Sequence, residues 1–276
     1  MLPSTMKTAP ERSGDPLFGV VSGLYLALLV VPLVVFVVGR IVTADAAGRY
    51  VTAVVTGAVV IGLGWLTTER IDGLAPSIGA TRLRWALAAF PVGYALVGFA
   101  SREQTGSVGA VAFFFGAGAM AVGFVLGVMA RTRHSDAVLA GVERECEFRA
   151  GWPEAARRRL MFTAGAAIVV AVLCFGVGIL TDRFWLQSVG QILFPVGVVS
   201  YTSAEPRTFT VSEAGLEQRL PVARRLVSWN VFEGYSRTED AIVLHRRFRV
   251  DTRFALADID DPETVETAIA RHLQAA

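Results

Sequence analysis

The chain has 276 residues, 53% apolar and only 18% charged, whereas soluble domains carry about 25% charged residues. That balance, gathered into long apolar blocks, excludes an ordinary soluble globular protein. The formal net charge of +2 carries no strong electrostatic preference, and no nucleic-acid partner is expected.

Residues 1–16 are polar, with Lys7, Arg12, Pro, Ser and Gly, and read as a short disordered lead. Leu17 to Val38 is the first apolar block, 22 residues without a charge and with Pro32 inside it. A bilayer core about 30 Å thick needs roughly 20 such residues as helix. Ala44-Asp45-Ala46 fits a small-x-small cleavage pattern, but the block exceeds the roughly 7–15 residues of a signal core. It reads as a retained helix; cleavage would remove one span and leave the orientation of the rest unchanged. Further blocks run over residues 50–67, 85–100 (with Pro91), 108–130, 160–180 and 184–201, several with Trp or Tyr at their ends, as at membrane–water interfaces. The expectation is six transmembrane helices.

Lys and Arg in the short loops set orientation. With a cytoplasmic N-terminus, the inside segments hold twelve basic residues and the outside segments four (Arg40, Arg49, Arg102 and Arg183), counted before the tail. Both termini are therefore expected in the cytoplasm of a multi-pass protein of the cell membrane. Only Lys7 among the 26 basic residues is lysine. In the inside loop 131–159, Ser135-Asp136 resembles a helix start and Leu139, Val142 and Cys146 recur at helical spacing. The expected element is a short amphipathic connector on the inner leaflet, with Trp152 at the headgroups; a partner-binding helix is the alternative.

None of the six blocks has an ionisable residue in its interior, although pumps and transporters usually place such groups at depth. Gln187 and Gln191, one turn apart, read as helix–helix glue. Gly123 and Gly127 form a GxxxG step, for packing within one bundle or for a homodimer contact. Cys146 and Cys174 lack CxxC or Cys/His spacing, so neither a zinc site nor a disulfide framework is supported. No catalytic residue, cofactor or metal site is expected.

After Tyr201 the period changes. Residues 208–211 and 216–220 alternate across the turn signal Glu213-Ala214-Gly215, which fits a hairpin. Apolar residues over 227–235, Thr238-Glu239-Asp240 as a turn, and strands at 241–244, 248–250 and 253–256 follow. Asp261 as N-cap, Pro262 and Glu263 open a helix with Val265, Ile269 and Leu273 on one face. The fold class is thus an α-helical polytopic membrane protein (residues 17–201) with a small C-terminal α+β domain (residues 202–276).

Val211-Ser212-Glu213-Ala214-Gly215-Leu216, Val227-Ser228-Trp229, Phe232-Glu233-Gly234-Tyr235 and Ile242-Val243-Leu244, then the closing helix, resemble the cytoplasmic domain of YcxB-like membrane proteins, which are similar to prokaryotic PH-like domains. The resemblance covers about residues 207–274. It implies a binding or scaffolding domain and brings no catalytic residues.

Trp229 reads as a core or interface aromatic of the small domain, with a lipid or partner contact as the sharper alternative. Arg224, Arg225, Arg246, Arg247 and Arg249 could face anionic lipid headgroups, although the tail from residue 203 balances ten Arg with twelve acidic residues. The expected function is a membrane-anchored binding, regulatory or scaffolding protein whose partners are the bilayer, anionic headgroups, another membrane protein or a second copy. A small-solute transporter or channel is the alternative, and a membrane-embedded enzyme a third class.

Overall fold

The computed structural model describes residues 15–41, 45–105, 107–220, 223–247 and 250–274. The expected disordered lead, all but its last two residues, lies outside them. Chain contacts divide the protein into two compact units, Met1–Ala137 and Val138–Ala276.

The first unit is helical: α1 (Pro16–Ile41), α2 (Ala46–Arg70), the short α3 (Leu74–Ala80), α4 (Ala86–Thr105) and most of α5 (Ser107–Leu139). Asp45 caps α2 by accepting from the Gly48 amide at 2.8 Å. Helices α1 and α2 meet where both are bare: a Cβ on Gly64 would fall 2.5 Å from the Gly23 Cα. The Gly123 and Gly127 step packs against the carbonyls of Leu87 and Arg84 of the same chain, which is the within-bundle role of such a step. Phe18, Tyr25, Ala75, Ala119, Leu126 and Ala130 form the core of this unit.

The second unit holds the rest. Helices α6 (Glu154–Leu180) and α7 (Phe184–Ser203) form an antiparallel pair. Its seam is a heptad of small residues: Ala164, Ala171 and Gly178 on α6 are all buried, and Gly190 and Gly197 on α7 face Ala171 and Ala164. A Cβ at Gly190 would sit 2.6 Å from the Ala171 carbonyl oxygen. Near the turn, Gln187 Nε2 donates to the Gly178 carbonyl at 3.1 Å, so Gln187 acts as interhelical glue.

Two antiparallel sheets follow. The first has the order β1 (Arg144–Ala150), β2 (Arg207–Ser212), β3 (Gly215–Leu220), β4 (Ala223–Val227); the second runs β5 (Phe232–Arg237), β6 (Ala241–Arg246), β7 (Thr252–Ala255). Gly215 closes the β2–β3 turn with φ +143°, which a side chain would strain, and a Cβ there would strike the Val227 carbonyl. Phe148 and Phe209 from the first sheet meet Phe254 from the second in edge-on contacts at 5.3 and 4.8 Å between ring centres. Helix α8 (Pro262–Ala270) adds Val265, Ala268 and Ile269 to this core. Its start is as expected, with Asp261 accepting from the Thr264 amide and Pro262 at the first position.

Three expectations need correction. The amphipathic connector does not form. Helix α5 continues to Leu139, Gly141 turns the chain with φ +87°, and residues 144–150 are strand β1. The apparent helical spacing of Leu139, Val142 and Cys146 loses to pairing with β2, whose backbone groups β1 satisfies. The third block opens with a 3₁₀ turn, Arg82–Trp85, and its helix runs on to Thr105. The strand expected at 248–250 is absent at Val250, and β6 ends at Arg246; Phe248 and Arg249 lie outside the described residues.

Five helices among the described residues are long and apolar enough to cross a membrane: α1, α2, α4 with its preceding turn, α5 and α6. Helix α7 falls short of that measure, since Gln187, Ser188 and Gln191 interrupt its first half. Exposed Phe162, Val169, Val172 and Leu173 on α6 and Val51, Val55, Val59 and Leu63 on α2 form apolar surfaces that suit lipid rather than water.

The seam between α6 and α7 gives a test. Gly190→Ala should lower the thermal stability of the detergent-solubilised protein, by about 1–3 kcal/mol for overpacking. Gly165→Ala, on the same pair but with no atom near the new methyl group, should be neutral or stabilising, since Ala is the better helix former by about 1 kcal/mol. Equal melting temperatures for the two variants would refute the seam.

Candidate functional site

Alternation along the strands decides which arginines point inward. In β2, Arg207 shares the face of Phe209 and Val211. In β4, Arg225 shares the face of Val227 and lies opposite Gln218, which itself lies opposite Phe209. In β6, Arg246 follows Ile242 and Leu244 on the core-facing parity. Each strand therefore carries a guanidinium on its inner face: at the start of β2, in the middle of β4 and at the end of β6. Between them a cavity of about 230 Å³ opens, bordered by these three arginines and by Arg253, Gln218, Thr252, Glu205 and Asp251.

The cavity also touches Gly151 and Trp152, which lead into α6, and Ser203, the last residue of α7. Two hydrogen bonds pin this part of its lining: the Gly151 amide donates to Asp258 at 2.9 Å, and the Ala255 amide donates to the Gly151 carbonyl at 3.0 Å. Burial holds the Arg207 pKa below its ordinary value, and the Glu205 carboxylate partly offsets this. Arg246 spreads over the Phe232 ring, 5.1 Å from its centre.

Asp251 is held by a chain of polar side chains on the second sheet. Its Oδ1 accepts from the Arg246 amide at 3.1 Å, closing the β6–β7 turn. Its Oδ2 accepts from His245 Nδ1 at 3.1 Å, which in the neutral ring leaves Nε2 to accept from Ser236 Oγ at 2.9 Å. The Ser–His–Asp order is that of a nucleophile relay, but of the three only Asp251 borders the cavity. The chain thus orients a carboxylate beside Arg246. The Arg246 amide bond, aided by His245, holds the Asp251 pKa below the usual carboxylate range.

The six residues singled out from sequence separate. Arg225 and Arg246 meet at the cavity. Arg224 lies on the opposite face of the first sheet, 3.8 Å from the buried carboxylate of Glu217, which Arg219 also approaches at 3.4 Å. Arg247 is exposed, 3.8 Å from Glu233, and Arg249 lies outside the described residues. Trp229 is half-buried: its Nε1 donates to the Ser212 carbonyl at 2.8 Å, and its ring stacks on His272 at 4.8 Å. His272 in turn donates to Glu145 of β1 at 2.7 Å. Trp229 and His272 therefore tie the segment after α8 to one end of the first sheet, where Ser212 pairs with Arg144.

Arg207, Gln218 and Asp251 were missed from sequence. The signal for Arg207 and Gln218 was a polar residue on the inward parity of an alternating strand. Among the described residues no group of three His, Cys, Asp or Glu side chains could hold a metal ion.

Comparison of the chain with protein-family models, with curated proteins and with solved structures finds no match. The class rests on the chain itself: a multi-pass membrane protein with a C-terminal antiparallel β region and one closing helix.

Trp229→Phe should keep the fold but lower its stability by about 1 kcal/mol, for the lost hydrogen bond to Ser212, read by thermal melting. Asp251 supplies a second test. Its pKa is lowered by folding, so its contribution is present above the ordinary carboxylate range and lost as the pH falls through the lowered value. Asp251→Asn should melt earlier than wild type at neutral pH, and the two melting curves should converge in acid. A gap that persists at low pH would place the effect elsewhere than in the charge.

Proposed function

We propose that this chain is a membrane-anchored binding or regulatory protein that presents a PH-like domain at the inner leaflet and acts by binding rather than by catalysis. The observation that carries this reading is the pairing of β1 with β2, Ala150 opposite Arg207, across the α6–α7 helix pair. Both strands lie in one sheet, so the chain that leaves through α6 must return through α7. If α6 spans the bilayer, α7 spans it too and is the sixth helix. An even number of helices keeps both termini on one side, in agreement with the arginine bias of the loops. Helix α7 can be less apolar than its neighbours because Gln187 bonds to α6 rather than to lipid.

The PH-like reading, and with it the likeness to YcxB-like proteins, is supported by four strands, three strands and a closing helix in that order. It needs β1 from before the helix pair to complete the first sheet. The anchored domain then has its cavity at the feet of α6 and α7, beside the headgroups.

Single cysteines in a chain lacking Cys146 and Cys174 test the topology. Glu143→Cys and Glu239→Cys should resist a membrane-impermeant thiol reagent in intact cells, and Arg183→Cys should react. Labelling at 143 or 239 would defeat the inner-leaflet placement.

A further inference from the structure

We infer that the cavity between the two sheets binds a phosphate ester, supplied by the headgroup of an anionic phospholipid of the inner leaflet. This deepens the reading above and rests on its placement of the domain. Four arginines border the cavity against two carboxylates, Glu205 and Asp251, which leaves a positive excess in a partly enclosed space. Guanidinium forks match phosphate oxygens two at a time, and Arg207, Arg225 and Arg246 approach from three strands of two different sheets. Gln218 adds a neutral donor between them.

Size and position narrow the ligand. One water needs roughly 10–15 Å³ of such cavity space, so about 230 Å³ has room for a phosphate with a small polar group attached. Trp152 and Ser203, at the inner ends of α6 and α7, line the cavity. A phosphate there can stay joined to acyl chains lying along the exposed Phe162, Val169 and Leu173 of α6. A soluble phosphate would gain nothing from that surface. Asp251, fixed by the Arg246 amide and His245, offers an acceptor to a headgroup hydroxyl.

The test uses the full-length protein. It is purified in mild detergent with a mixture of phosphatidylglycerol and phosphatidylcholine, and the lipid retained per protein is read by mass spectrometry. Wild type should retain phosphatidylglycerol in preference to phosphatidylcholine. Arg225→Gln/Arg246→Gln should lower that retention at least tenfold, with circular dichroism unchanged. Arg158→Gln, an exposed base near the start of α6, should leave it unaltered. If the double variant does not fold, Arg225→Lys decides: it keeps the charge but loses the fork, and a severalfold loss is expected. Retention equal to wild type in the folded double variant or in Arg225→Lys, or an equal loss in Arg158→Gln, overturns the inference. So does full release of the lipid by inorganic phosphate, which would assign the cavity to a free anion. The outcomes separate from the topology test: correct thiol labelling with no selective retention ends this inference alone.

Discussion

Strand β1 and strand β2 share one ladder of backbone hydrogen bonds, although the α6–α7 pair stands between them in sequence. Much else depends on that ladder. It returns the chain to the sheet that it left, supplies the outer strand of the first sheet, and fixes the helix pair at one edge of a β domain. Antiparallel strands are ordinarily joined by a short turn. Here the joint is two helices, one of them long and apolar enough to cross a bilayer.

The helix pair can play this part because its seam is built from small residues. In lipid there is no hydrophobic drive between helices, and association rests on close packing and a few interhelical hydrogen bonds. Ala164, Ala171 and Gly178 recur every seven residues and meet Gly190 and Gly197. Close backbone approach along this line, with Gln187 bonded to Gly178 near the turn, keeps the two strand ends at a fixed spacing. The same use of glycine joins α1 to α2 and α5 to residues 84–87 in the first unit.

Within the β domain, apolar and charged demands are separated along each strand. Phe209, Phe254 and Ile269 fill the core shared with α8. Arg207, Arg225 and Arg246 occupy the continuation of the same inner faces, where a cavity replaces packed side chains. Three guanidiniums crowded together repel one another, and each loses hydration as it is enclosed. Glu205 and the anchored Asp251 offset part of that cost. The cavity is thus a place where local charge conflicts with burial, and such conflicts gather at functional sites.

The sequence by itself determined the apolar spans, the hairpin at Glu213–Gly215, the turn at 238–240 and the capped helix at Asp261, because each follows from local periodicity or from a residue with one strong conformational preference. It singled out Arg225 and Arg246 only together with Arg224 and Arg247, which lie on other faces or edges. Only the tertiary structure decided that residues 144–150 are a strand, since their partner lies beyond two helices and local spacing favoured a helix. It likewise decided that Ser236, His245 and Asp251 form one chain of hydrogen bonds, and that arginines from three strands share a cavity. The physical reason is the same throughout: periodicity reports which face a residue takes, whereas strand pairing over long separations decides which faces meet.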